Sequence, residues 1–241
     1  MVTGDDQARV VQITDTHLSP RFGIPPEWEA LAAWLRADPP DLVVHTGDIV
    51  YEDPDDDADR AFARGLHDEL ARPLLFIPGN HDIGFYGEEA DRPRRLSTFR
   101  ATWGQDRFVT DLAGWRIVGA DSYLLGTPEH DEWLTAAVAT DQPVLVFVHQ
   151  PVRGEPVDGW EMPIAARTAF ATATTGADVR MVASGHRHVS VVGEHTIWAP
   201  SLTQIGDPET AAGCDPRPGF VEFALATGGG LRHRILRPWL D

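Results

Sequence analysis

Lysine is missing from this 241-residue, 26.5 kDa chain, so all 20 of its basic residues are arginine. Asn80 is the one asparagine and Cys214 the one cysteine. A lone cysteine excludes an intrachain disulfide and fits a reducing compartment. Nothing approaches the ~18 consecutive apolar residues of a membrane span; runs such as residues 144–148 are far shorter. The first ten residues hold two acids and no hydrophobic stretch, so no secretory leader is expected. Bases are also scarce relative to acids, 20 against 37, for a formal charge of −17. That field repels polyanions, which speaks against a nucleic-acid polymer or an anionic membrane as partner. What is present is ordinary for a globular protein: 42% hydrophobic and 24% charged residues. At this length a chain buries about 70–75% of its unfolded surface without staples. The expectation is a soluble, cytoplasmic protein forming a single domain over residues 1–241.

Short β-rich runs alternate with helical patterns. Strands are expected at residues 9–14, 41–46, 74–77, 115–120, 144–148 and 179–183, with helices near 27–37, 54–70, 92–103, 129–139 and 162–173. The last quarter reads as strands at 189–192, 196–199, 220–225 and 231–236 with turns between them. Alternating β and α units imply parallel pairing, and consecutive strands imply antiparallel pairing, so the fold class is α/β. The acidic run at 52–59 lacks the glycine and distal glutamate of a calcium loop. It reads as a solvated loop supplying acids to the next helix N-terminus. Gly228, Gly229 and Gly230 read as a hairpin turn, since no helix follows to cradle a phosphate.

Five short motifs fall at or just after expected strand ends: Asp15-Thr16-His17, Gly47-Asp48, Gly79-Asn80-His81-Asp82, His149 after Val146-Phe147-Val148, and Gly185-His186-Arg187-His188. Strand C-terminal ends are where α/β sheets present ligand-binding loops. Singly each is weak, a turn residue or a satisfied polar group. Together they collect Asp, Asn and His, ligands that suit manganese, iron or zinc. No thiolate takes part, which excludes a structural zinc-finger type of site. A glycine ahead of the polar residue suits a tight turn that points a ligand off the strand end.

This ordered set resembles the calcineurin-like metallophosphoesterase superfamily. The stretches Trp115-Arg116-Ile117-Val118-Gly119-Ala120-Asp121-Ser122 and Ala199-Pro200-Ser201-Leu202-Thr203-Gln204 are similar to those of its class III cyclic-nucleotide phosphodiesterases and the related glycerophosphodiesterases. The resemblance implies two packed mixed β-sheets flanked by helices. It also implies a dinuclear centre of manganese or iron first, and zinc second. Asp15, His17 and His188 would hold one metal and Asn80, His149 and His186 the other, with Asp48 bridging. A metal-bridging hydroxide would attack phosphorus in line. His81 would be the non-ligand catalytic histidine, stabilising the phosphoryl group or protonating the leaving oxygen. Family members are often homodimers.

Departures narrow the reading. Gly47-Asp48 continues as Ile49-Val50-Tyr51-Glu52, without the arginine clamp of protein Ser/Thr phosphatases. Tyr51 resembles the iron-ligating tyrosine of purple acid phosphatases, but His17 stands where that family has glycine, so Tyr51 reads as packing or as support for a ligand. Among the other histidines, His45 is kept as a support to the ligands; His67, His130, His195 and His233 read as ordinary surface or hydrogen-bonded groups. Arg153 and Arg187 are candidates to meet substrate or to sit in surface salt bridges. The eight tryptophans read mostly as core or interface, with Trp103 and Trp160 as candidates for a substrate wall, and residues 83–107 are expected to overhang the site. The leading reading is a phosphodiesterase acting on a small soluble substrate, a cyclic nucleotide or glycerophosphodiester. A phosphomonoesterase on a nucleotide or sugar phosphate is the alternative, and a non-catalytic scaffold of the same fold comes last because every ligand position and His81 are present.

Overall fold

The structure is a computed structural model that describes residues 7–70, 73–152, 160, 162–204, 206 and 213–240. The chain opens with a βαβαβ run: β1 (Gln7–Ile13), α1 (Pro26–Ala37), β2 (Leu42–His45), α2 (Asp57–Asp68) and β3 (Leu74–Phe76). After the one-turn α3 (Asn80–Ile83) and α4 (Arg92–Trp103) come β4 (Phe108–Leu112), β5 (Trp115–Gly119), α5 (Pro128–Val138), β6 (Val144–Phe147), α6 (Ile164–Ala173) and β7 (Val179–Ser184). The short β8 (Val191–Val192) and β9 (Thr196–Trp198) precede the hairpin of β10 (Phe220–Ala226) and β11 (Leu231–Leu236). One sheet has the order β11-β10-β1-β2-β3 and the other β4-β5-β6-β7-β9-β8.

Parallel pairing runs through β1, β2 and β3, and through β5, β6 and β7. Antiparallel partners stand outside them: β10 on β1, β11 on β10, β4 on β5 and β8 on β9. The final strands are not uniformly antiparallel, because β9 lies parallel to β7. β4 was absent from the sequence expectation. Its residues alternate between half-buried and exposed, a weak signal beside the fully buried β2 and β6.

The period-2 alternation of each strand divides the core into layers. Val10, Val44, Leu145 and Phe147 join the cluster between the two sheets. Their neighbours Val11 and Val43 face a second cluster with Trp28, Leu31 and Leu35 of α1 and Leu96 and Phe99 of α4. Val144 and Val146 face a third, with Leu134 of α5 and Phe170 of α6. Helix, sheet, sheet and helix therefore stack in that order, and strands buried on both faces read as continuous apolar runs. The acidic loop behaves as expected: Asp56 caps α2 by accepting from the Ala58 and Asp59 N–H groups, while Asp57 and Asp59 lie in its first turn. The three-glycine run closes the β10–β11 hairpin, with Gly229 N–H on Ala226 O at 2.9 Å.

Beneath the strand ends lies an aromatic cluster. Trp103 packs edge-on against His67 at 5.3 Å and beside Phe76 at 5.0 Å, so it belongs to the core and is no substrate wall. His67 donates its Nδ1 proton to Ala63 O at 2.8 Å, a bond within α2, and burial holds its pKa down to about 4. Between pH 6.5 and 4 the unfolded chain therefore takes up a proton that folded His67 refuses. The stability tied to this group is complete above 6.5 and lost as pH falls toward 4, by at most about 1.4 kcal/mol per pH unit. His130, also held to about 4 by burial, acts in the same direction. Replacing His67 with Phe should flatten the fall in melting temperature between pH 6.5 and 4. Melts at half-unit pH steps check this; an unchanged slope would refute it.

Candidate metal centre

Because β1, β2 and β3 are mutually parallel, as are β6 and β7, their C-terminal loops emerge along one edge of each sheet. β1 leads to Asp15 and His17, β2 to Asp48, β3 to Asn80, β6 to His149, and β7 to His186 and His188. The loops are stitched together by backbone bonds: Asp15 N–H to Gly47 O at 2.9 Å, His17 N–H to Asp48 O at 3.1 Å and Gly185 N–H to His149 O at 2.9 Å.

Asp15, His17, Asp48, His186 and His188 all adopt left-handed backbone, with φ between 43° and 68°. Ala113 is the only other non-glycine residue of this kind among the described residues. Each such residue costs about 1–3 kcal/mol and persists where its surroundings fix it, a pattern concentrated at functional sites. Gly47 does bend as expected, at φ 99°. Gly79 and Gly185 serve differently. A Cβ on Gly79 would strike Asp48, and one on Gly185 would strike Thr14 and Asp15. These two glycines let loops approach closely, and the turn itself is carried by the polar residues.

The sequence-predicted site residues converge. Asp15, His17 and His188 place their ligand atoms within 4.8 Å of one another, as do Asp48, His149 and His186, and His17, Asp48 and His81. Asn80 Oδ1 lies 3.1 Å from His149 Nε2. His17 donates from Nδ1 to Tyr51 O at 3.0 Å, and His149 from Nδ1 to Thr46 O at 2.7 Å. With those protons committed to backbone carbonyls, both rings turn Nε2 inward. His17 Nε2 meets His188 Nε2 at 3.1 Å, and His149 Nε2 meets His186 Nδ1 at 3.1 Å and Asp48 Oδ2 at 3.4 Å. Imidazole nitrogens crowded against one another and against carboxylates are a donor set for cations.

The electrostatics agree. Burial would lower His149, yet Asp48 and Asp15 raise its pKa to about 9. Burial would lower His188 too, but its bond to Asp15 and the charges of Asp15 and Asp48 together raise it. Burial would raise Asp15 and Asp48, but the histidines hold both below the ordinary carboxylate range, His188 acting on Asp15 and His149 and His81 on Asp48. His17 and His186 stay neutral, lowered by burial to about 4 and about 3. The centre thus pairs ionised carboxylates with protons held on His149 and His188, beside neutral His17 and His186, and its carboxylates draw positive charge.

Several supports escaped the sequence reading. Asp82, last of its four-residue motif, accepts N–H bonds from Gly79, Asp48, Ile49 and Val50 at 2.8–3.4 Å. The Tyr123 hydroxyl donates to Asn80 Oδ1 at 2.9 Å. Ser201 and Thr203 hydroxyls donate to Asp15 O and Thr16 O, so the 199–204 stretch buttresses the first loop. His45 fulfils its expected supporting place, accepting the Gly47 N–H at Nδ1 and meeting Thr16 Oγ at 3.0 Å. An Asp82→Asn substitution turns part of one acceptor into a donor facing backbone N–H groups. It should cost about 2–4 kcal/mol, visible as a clear drop in melting temperature; unaltered stability would remove Asp82 from this role.

A cleft of about 250 Å³ opens over the centre, walled by His81, Phe85, Trp160 and Tyr51 among others. Trp160 thus stands where expected. Tyr51 packs against Phe22 at 4.8 Å, in keeping with a supporting residue. Phe85 is the residue of the 83–107 segment that lines the cleft, while Arg94 and Arg95 bind Asp55. Arg187 is buried with its guanidinium 5.3 Å over Trp198. Arg153 lies outside the described residues.

A family model described as calcineurin-like phosphoesterase matches residues 8–190. The chain belongs to this family. Calcineurin-like phosphoesterases are phosphoester hydrolases that typically bind divalent metals, and the Asp and His groups above could hold them. A 3′,5′-cyclic adenosine monophosphate phosphodiesterase of Escherichia coli is 30% identical over 171 residues, which cover 63% of this chain and 58% of that protein. The match thus spans less than two thirds of that relative. A probable cyclic nucleotide phosphodiesterase of Synechococcus sp. is 27% identical over 96% of this chain and 92% of its own. Among solved structures, a dimetal phosphatase from Danio rerio superposes with a TM-score of 0.67 at 13% identity, covering 92% of this chain and 94% of that one. That likeness bears out the expected pair of mixed sheets flanked by helices. No helix among the described residues is long and apolar enough to cross a membrane.

Proposed function

We propose that this protein is a dinuclear-metal phosphodiesterase acting on a small phosphodiester, a cyclic nucleotide or a glycerophosphodiester. The observation that carries the reading is the placement of Asp48. Its carboxylate belongs to two ligand groups at once, one with His149 and His186, the other with His17 and His81. Asp15, His17 and His188 would hold one cation and Asn80, His149 and His186 the second, with Asp48 between them. Manganese or iron fits this nitrogen and oxygen set first, and zinc second. Bound there, such a pair supplies Lewis-acid charge to the phosphoryl oxygens and a nucleophile from water near neutral pH.

The protein's own groups do the rest. Backbone carbonyls of Tyr51 and Thr46 fix the tautomers of His17 and His149. The His81 N–H donates to Asp48 Oδ1 at 2.9 Å, which orients the carboxylate. Unlike His149 and Asp48, the His81 side chain is partly open, at 22% exposure. With its Nδ1 set against Glu52 O at 3.2 Å, Nε2 faces the cleft, where it can hydrogen-bond a phosphoryl oxygen or give a proton to the leaving alcohol. The names of the E. coli and Synechococcus relatives support a diester over a monoester.

The test is hydrolysis of bis-p-nitrophenyl phosphate against p-nitrophenyl phosphate by the manganese-loaded protein. A diester preference that chelation abolishes is expected. A monoester preference would replace the reading with a phosphomonoesterase of the same centre, and failure to take up metal would end both.

A further inference from the structure

Phe85 and Trp160 are each 46% exposed. Among the described residues neither joins a core cluster, in contrast to fully covered aromatics such as Trp115 and Phe147. Both line the cleft over the metal centre, and they flank it. The Phe85 ring lies 5.6 Å from that of His81, and the Trp160 ring 5.4 Å from that of His186. These two histidines belong to different ligand groups that share Asp48. A phosphoryl group held over Asp48 therefore has a flat apolar face about one ring away on either side. Exposed aromatic faces at the mouth of a polar cleft are kept for a partner that covers them.

We propose that Phe85 and Trp160 are stacking platforms for a planar ring carried by the substrate, so that the enzyme selects phosphodiesters bearing a nucleobase over those of open-chain alcohols. The inference rests on the phosphodiesterase reading above and decides between its two substrate classes. An open-chain alcohol such as glycerol has no π-face and leaves both rings wet. A nucleobase covers one, and because every base has a π-face, stacking alone favours the class rather than a particular base. The carboxylate of Glu52, in the same wall, disfavours a second anionic group on the substrate.

The experiment uses the manganese-loaded full chain and two cyclic diesters: 3′,5′-cyclic AMP, and methyl riboside 3′,5′-cyclic phosphate, which carries a methoxy group in place of the base. The base-bearing diester should be preferred at least about 5-fold in kcat/KM. Trp160→Ala or Phe85→Ala should raise KM for it about 5- to 100-fold, with the ratio of the two kcat/KM values falling toward one. Trp160→Phe should restore much of the preference. Equal wild-type rates on the two diesters, or equal losses on both in each alanine variant, would overturn the platform. So would a change of oligomeric state in the variants with KM unmoved, which would assign the rings to a subunit interface. Hydrolysis of bis-p-nitrophenyl phosphate but of neither cyclic diester would remove the platform and leave the phosphodiesterase standing; hydrolysis of none would remove both.

Discussion

Replacing Asp48 with Asn will lower kcat/KM for bis-p-nitrophenyl phosphate by more than about 100-fold and reduce the metal retained after desalting. The side chain keeps its size and its place, so the effect is electrostatic. Asp48 is 2% exposed, with His149, His81 and His17 Nε2 atoms 3.4, 3.9 and 4.0 Å from Oδ2. Two cations about 3.5–4 Å apart repel strongly, and an anion between them offsets much of that repulsion. An amide supplies no charge and brings a donor into a pocket already filled with lone pairs. Even a partner that only orients a metal ligand is worth about 10–100-fold, so a shared ligand should exceed that. Metal analysis by mass spectrometry beside the kinetics checks both halves. Full metal content with near wild-type turnover would show that Asp48 does not bridge.

His81→Ala should separate chemistry from metal binding. The expected result is a loss of about 10²–10⁴-fold in kcat, the range for a positioned acid or base, with metal content unchanged. The geometry permits a competing role, since His81 groups with His17 and Asp48 closely enough to ligate. Its openness to the cleft and its edge-on packing against His17 at 4.8 Å and Phe85 at 5.6 Å favour contact with substrate instead. Loss of one metal equivalent in the variant would make His81 a ligand. Retention of metal, with a pH–rate profile that loses one limb, would fix it as the proton-handling group. Rescue by added imidazole would point the same way.

How much of this was legible beforehand differs by feature. Strands buried on both faces, such as β2 and β6, announced themselves as short apolar runs, and strand ends followed by Asp, Asn and His marked the loops that carry the centre. Buttressing was harder to see. Asp82 stands beside Asn80 and His81 in the chain, yet nothing in a four-residue motif says that its carboxylate gathers N–H groups from a loop more than thirty residues away. Tyr123 reaches Asn80 across 43 residues, a distance that only packing can close. Trp103 takes the core place that most tryptophans are expected to take, while Trp160 lines the cleft; composition says that a tryptophan wants cover without saying which side supplies it.

The sequence by itself determined the class of fold, the ligand types and the order in which they appear, since strand periodicity and side-chain chemistry are local properties. Tertiary structure alone decided that β9 would join β7 in parallel, that five polar residues would take left-handed backbone, and that two aromatic rings would flank Asp48. Those facts depend on contacts between segments far apart in the chain. Only the assembled strand ends give Asp48 two groups of histidines to serve.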